Sequence, residues 1–190
     1  MTTQRVLSIL LFAVGIFAGK LAYDEFFGES EVASFDELDW TPSDRVGVRY
    51  EAPFELAPMD LELPEHIKVY VKEMSSYHYE SKPLAFFVSR AEYQPGIKLD
   101  IEGAVNGAVQ NMQAQKGITE FTYEASKVTK DFIEGRLIKG TCKVNGEDAE
   151  FIAQIYIKNV KMLQIITMNL SFPENREIRD RILKSIRISL

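Results

Sequence analysis

One cysteine, two histidines and one tryptophan in 190 residues leave little material for several kinds of chemistry. With Cys142 alone, no intrachain disulfide forms, and no cysteine pair exists to hold zinc or to run a dithiol couple. The missing disulfide does not argue against export, because a chain of this length buries a core without a staple. No cysteine follows the N-terminal apolar run, which excludes a lipoprotein signal. His66 and His78 stand twelve apart, without HExxH spacing or cysteine companions, so neither reads as a metal ligand.

Phosphate loops, nucleophile elbows and calcium loops are missing as well. Gly135 to Thr141 contains Lys-Gly-Thr, not the Gly-Lys-Thr order of a phosphate loop, and lies inside a strand pattern. There is no Gly-x-Ser-x-Gly elbow. Asn145, Glu147, Asp148 and Glu150 lack the Asp-x-Asp-x-Asp-Gly ligand series. Cys142 shares a strand face with Ile138 and Val144 and reads as a buried, inert thiol. No clustered basic stripe offers a nucleic-acid footprint. No catalytic residue, cofactor or metal is therefore expected, and the chain does not read as an enzyme.

What is present describes a globular chain: 46% hydrophobic and 11% aromatic. The net charge of -6 is uneven. Residues 24–66 carry thirteen acids against Arg45 and Arg49, whereas the remainder is weakly basic. Val6 to Gly19 reads VLSILLFAVGIFAG, without a charge, between Arg5 and Lys20. Extended to Tyr23, with Lys20 snorkelling, it reaches about eighteen residues, near the lower limit for a spanning helix. A cleaved signal needs small residues at -3 and -1, but cuts after Ala18, Gly19 or Ala22 place Ile16, Phe17 or Lys20 at -3. An uncleaved anchor is the preferred reading, with secretion after cleavage as the alternative. Positive charge on the N-terminal flank keeps that end cytoplasmic and the rest outside. Residues 1–23 are thus expected to be the membrane segment, 24–47 an acidic spacer, and 48–190 the folded domain.

Within the domain, Phe54 to Leu63, flanked and interrupted by prolines, suits an extended edge. Ile67, Val69 and Val71 alternate with polar residues as a strand start, and Leu84 to Tyr93 is a strand closed by Pro95-Gly96. Ile101, Ala104, Val105, Ala108, Val109 and Met112 then fall on one helical face, with Gly117 as C′ and Gly103 and Gly107 opposite. Asn145-Gly146 predicts a two-residue hairpin pairing Val144 with Glu147, Cys142 with Ala149, Gly140 with Phe151 and Ile138 with Ala153. Val160 to Leu170 is apolar on both faces and needs cover on both. The helix at 99–116 and a last helix at 174–186 supply it. Ser171 and Glu174 form the pattern of a capping box, and Glu177–Arg181 and Asp180–Lys184 have i,i+4 spacing. The fold class expected is α/β in the α+β sense. It is an antiparallel sheet with helices on both faces, an α/β/α sandwich, preceded by an N-terminal membrane helix.

A proline-rich first strand, two strands, a helix, a meander and a closing helix ending Ile182-Leu183-Lys184-Ser185-Ile186 resemble the PsbP-like α/β/α sandwich superfamily. That group includes DcrB-like exported bacterial proteins of unknown role. The resemblance spans roughly residues 50–190 and implies a fold, not a chemistry. No positions match photosystem docking or GTPase binding. Ser75 to Tyr79, SSYHY, offers one candidate interaction surface at Tyr77, His78 and Tyr79. The plainer reading is a strand end with both tyrosines on a half-buried face. The function expected is a non-enzymatic interaction or accessory role at the cell envelope, with the membrane and an envelope protein as partners. A small-ligand carrier with a pocket between sheet and helix is the alternative.

Overall fold

A computed structural model describes residues 39–190 apart from 62, 82 and 83. The expected membrane segment, and the spacer as far as residue 38, lie outside the described residues. Among the described residues no helix is long and apolar enough to cross a membrane. The strands are β1 (Thr41–Arg45), β2 (Val48–Ala52), β3 (Ala57–Pro58), β4 (Val71–Ser81), β5 (Leu84–Tyr93), β6 (Ile118–Lys130), β7 (Ile133–Val144), β8 (Glu147–Lys158), β9 (Lys161–Leu170) and β10 (Arg187–Ile188). The helices are α1 (Glu65–Lys68), α2 (Ile101–Gln113) and α3 (Pro173–Ser185).

The sequence of β9 decides the centre of the molecule. Successive side chains of a strand point to opposite faces, so its two apolar sets divide between two cores. Met162, Ile166 and Leu170 join Ala104, Val105, Ala108, Val109 and Met112 of α2 in one core. Leu163 and Ile165 join Ile178, Ile182 and Ile186, in and just beyond α3, in the other. Seven strands run β3-β4-β5-β9-β8-β7-β6, all pairings antiparallel, with a helix on each side. The α/β/α sandwich expected from the sequence is observed. So is the hairpin register: Val144 opposes Glu147, Cys142 Ala149, Gly140 Phe151 and Ile138 Ala153. Asn145 (φ 52°) and Gly146 (φ 91°) make the turn in the left-handed region.

Several expectations are corrected. The folded domain does not begin at Val48. β1, inside the segment assigned to the spacer, pairs with β2 from Thr41↔Ala52 to Arg45↔Val48. β2 also pairs with β10, giving a second sheet ordered β1-β2-β10 beside α3. Residues 65–68 are one helical turn, not a strand. Pro64 starts it, its carbonyl accepting the amides of Ile67 and Lys68, and Lys68 pairs with Glu65 at 2.5 Å. Ile67 is fully buried, while Val69, expected on the same strand face, is 65% exposed. Gly103 and Gly107, whose side of α2 the sequence left undecided between close packing and exposure, are buried. The capping box is not formed: Phe172 occupies the N-cap of α3 without a side-chain bond, and Pro173 stands in the first turn. Asp100, by contrast, caps α2, accepting from the amides of Glu102 and Gly103.

Candidate functional site

β6, β7 and β8 extend past the cover of α3, because that helix lies over β9 and β2. The uncovered part leaves an open trough of about 530 Å³ between the helix and the three strands. Thr122 and Glu124 of β6, Lys139 and Thr141 of β7, and Glu150 and Ile152 of β8 line its floor. Arg179 and Asp180 of α3 form its wall. Register explains the floor: Thr122 opposes Thr141, and Thr141 opposes Glu150, so the three lie in one row across the sheet. The two threonine hydroxyls share a hydrogen bond of 2.8 Å.

The charges in this wall are bound to one another. Glu150 Oε2 accepts from Arg179 Nη1 at 2.9 Å, and Glu150 Oε1 accepts from Arg176 Nε at 2.8 Å. Arg179 Nε also donates to Asp180 Oδ1 at 2.9 Å, and its Nη1 to Asn169 Oδ1 at 3.1 Å. Arg179 is only 7% exposed, yet its donors meet two carboxylates and an amide oxygen, so its burial is compensated. The Arg176 hydrogen bond, then that of Arg179, holds the Glu150 carboxyl below the usual carboxylate range against opposing desolvation. Such a group stays ionised near neutrality and does not serve as a general acid. The expected Glu177–Arg181 partnership gives way to another: the Arg181 guanidinium lies 3.7 Å from the centroid of the Trp40 ring. That contact fastens the start of the domain to α3, and Trp40 packs against the core beneath it.

The residues singled out from the sequence fall elsewhere. Tyr77, His78 and Tyr79 lie in β4, each half-buried, and the pleat separates them. Tyr77 and Tyr79 face the core beside α3, where Tyr79 stacks on Phe54 at 3.8 Å and Arg45 lies 5.7 Å from the Tyr77 ring. His78 points to the opposite face, and β3 covers this stretch, pairing Ala57 with His78 and Pro58 with Tyr77. The His78 Nδ1 atom is buried without a hydrogen-bond partner among the described residues. Cys142 is buried in the core beside α2, and burial pushes its thiol up to about 11. A thiol held protonated is a poor nucleophile. His66 sits in α1, away from the trough. Among the described residues no cluster of three or more metal-ligating side chains occurs.

The trough escaped sequence reasoning because its wall joins residue 150 to residues 176 and 179 across a strand–helix contact. The one available signal was Arg179, a charge set within the apolar stripe of Ile178, Ile182 and Ile186.

No family model matches the chain, and no curated protein sequence matches it. Solved structures do. PsbP (CyanoP) from Synechocystis sp. PCC 6803 is 10% identical, with 86% of this chain and 97% of that chain covered at a TM-score of 0.53. PA94, a protein of unknown function from Pseudomonas aeruginosa, is 13% identical, with 69% and 92% covered at 0.40. LpqN from Mycobacterium tuberculosis, described as involved in cell envelope biogenesis, is 14% identical, with 81% and 92% covered at 0.45. At such identity the first match speaks to architecture alone. With a two-faced antiparallel sheet between α2 and α3, this chain has the PsbP-like α/β/α fold.

Proposed function

We propose that this chain is a non-enzymatic recognition domain of a cell envelope. Residues 1–23 hold it at a membrane, and the folded domain lies outside the cytoplasm. The trough between α3 and β6–β8 is its binding surface. One observation carries the reading: Glu150, Arg179 and Asp180, at the foot of the helix wall, are committed with Arg176 to one another as ion pairs, not poised for proton transfer. Fixed charges beside exposed threonines suit the reading of a polar partner's surface, since such groups set orientation and specificity. The trough is wide, open and partly charged, which suits a macromolecule better than a small apolar ligand. Placement outside the cytoplasm is supported by the apolar N-terminal run, its basic flank and the acidic stretch behind it.

A photo-crosslinking side chain at Thr141, on the trough floor, tests this in intact membranes. Gln110, exposed on α2 on the other side of the sheet, is the control position. The Thr141 position should capture a defined envelope protein before lysis, and the Gln110 position should not. Equal capture from both, or capture only after lysis, would remove the support.

A further inference from the structure

We infer that β6 pairs along its outer edge with β6 of a second copy of this chain, antiparallel, with Ala125 on the two-fold axis. The pairing uses the edge of the sheet, leaves the trough open, and stands apart from the reading above. β6 is thirteen residues long and ends the seven-stranded sheet. No strand among the described residues pairs its outer side. Thr122 to Lys127 are all exposed, so in this stretch both faces of the strand meet solvent as well as its edge. A long edge of this kind is a template for another strand.

The hairpin turn says which backbone groups face outward. Asp131 and Phe132 form a two-residue turn with positive φ, so Lys130↔Ile133 is the hydrogen-bonded pair that closes it. Pairs alternate along an antiparallel ladder. Val128, Ser126 and Glu124 therefore bond to β7, while Thr129, Lys127, Ala125 and Tyr123 direct both N–H and C=O away from it.

A two-fold axis passes through either a hydrogen-bonded or a non-hydrogen-bonded pair, so every residue from Tyr123 to Thr129 is a possible centre, and side chains choose among them. Centring on Glu124 sets two glutamates against each other, and centring on Ser126 or Val128 leaves Lys127 against Ala125 or Thr129, without an aromatic partner. Centring on Lys127 sets two lysines against each other, a like-charge contact. Centring on Tyr123 brings Lys127 against Thr119, beyond the break in the ladder between Thr119 and Thr122. Centring on Thr129 runs off the hairpin after one further pair. Centring on Ala125 places two methyl groups at the axis and sets Lys127 over Tyr123 twice, a cation–aromatic pair. On the other face Glu124 then opposes Ser126, and Thr122 opposes Val128. No like charges stand directly opposite, and the outward groups of Tyr123, Ala125 and Lys127 are all satisfied.

Cysteine crosslinking of the full-length chain in its membrane, with Cys142→Ala to remove the native thiol, reads this register. Ala125→Cys brings two Cα atoms to about 5.5 Å, within disulfide range. Lys127→Cys alone leaves its copies about 14 Å apart, as does Tyr123→Cys alone. Under mild oxidation Ala125→Cys should dimerise about ten-fold more than either single control, while Tyr123→Cys and Lys127→Cys expressed together link to each other. Equal yields at positions 125 and 127, or no dimer at position 125, would overturn the proposal. Ala125→Pro removes a donor that β7 does not use, so it should abolish the dimer and leave the circular dichroism spectrum unchanged. Hydrogen exchange completes the test. Protection of the Tyr123, Ala125 and Lys127 amides should vanish on dilution; protection independent of concentration would put residues 1–38 or another protein at this edge and refute self-pairing.

Discussion

Glu150 shows how a single residue reports on the trough. Its carboxyl is held low by Arg176 and Arg179, so the folded state binds its proton more weakly than the unfolded chain does. A depressed carboxylate contributes stability above its unfolded value, about 4.3, and that contribution is lost as pH falls through the folded value. Urea midpoints should therefore decline below about pH 4 more steeply in the parent than in Glu150→Gln. Parallel declines would mean that the ion pairs carry no folding energy. Phe132 poses the opposite case. Its ring is wholly exposed and its φ of 64° lies in the left-handed region, which costs an L-residue about 1 kcal/mol or more. Phe132→Gly should raise unfolding stability by about 1 kcal/mol. A loss of stability would show that the ring makes a contact worth more than the strain. Burial of Cys142 was legible from its neighbours on the strand. The partners of Arg179 were not, because residues 150, 169 and 180 converge on it from three elements.

At the scale of elements, local chemistry decided what the sequence revealed. Asn145-Gly146 dictates its own turn, and from the turn the whole register of β7 on β8 follows. Gly140 is the test of that register. A Cβ there would lie 2.2 Å from the Thr122 carbonyl oxygen and 2.3 Å from Phe151 Cζ. Backbone cannot yield to it, so Gly140→Ala should cost about 2 kcal/mol, seen as a lower urea midpoint at unchanged slope. An unchanged midpoint would show that β6 and β7 shift apart freely. The alternation at Ile67, Val69 and Val71 misled for a physical reason. Period two over three residues is weaker than a proline start, and Pro64 with the Glu65–Lys68 pair commits the segment to a turn of helix. The capping box at Ser171 lost in the same way to Pro173, which suits the first turn without a side-chain cap.

For the whole molecule, the sandwich could be foreseen because β9 is apolar on both faces and two amphipathic helices were available to cover it. The small sheet could not. It joins Val48 to Ile188, and only tertiary packing brings those distant residues together. The same contact pulls Thr41 to Arg45 into the domain and Trp40 under Arg181. The recognition domain proposed above lies outside the cytoplasm, its trough covered by a partner. Labelling with a membrane-impermeant maleimide in intact cells, after the outer layer is permeabilised, tests location and cover together. Thr141→Cys and Gln110→Cys, each with Cys142→Ala, are the two positions. Gln110→Cys should label fully without lysis, and Thr141→Cys should label only after detergent removes the partner. Gln110→Cys shielded until lysis would place the domain inside, and equal labelling of both in intact cells would leave the trough without a partner.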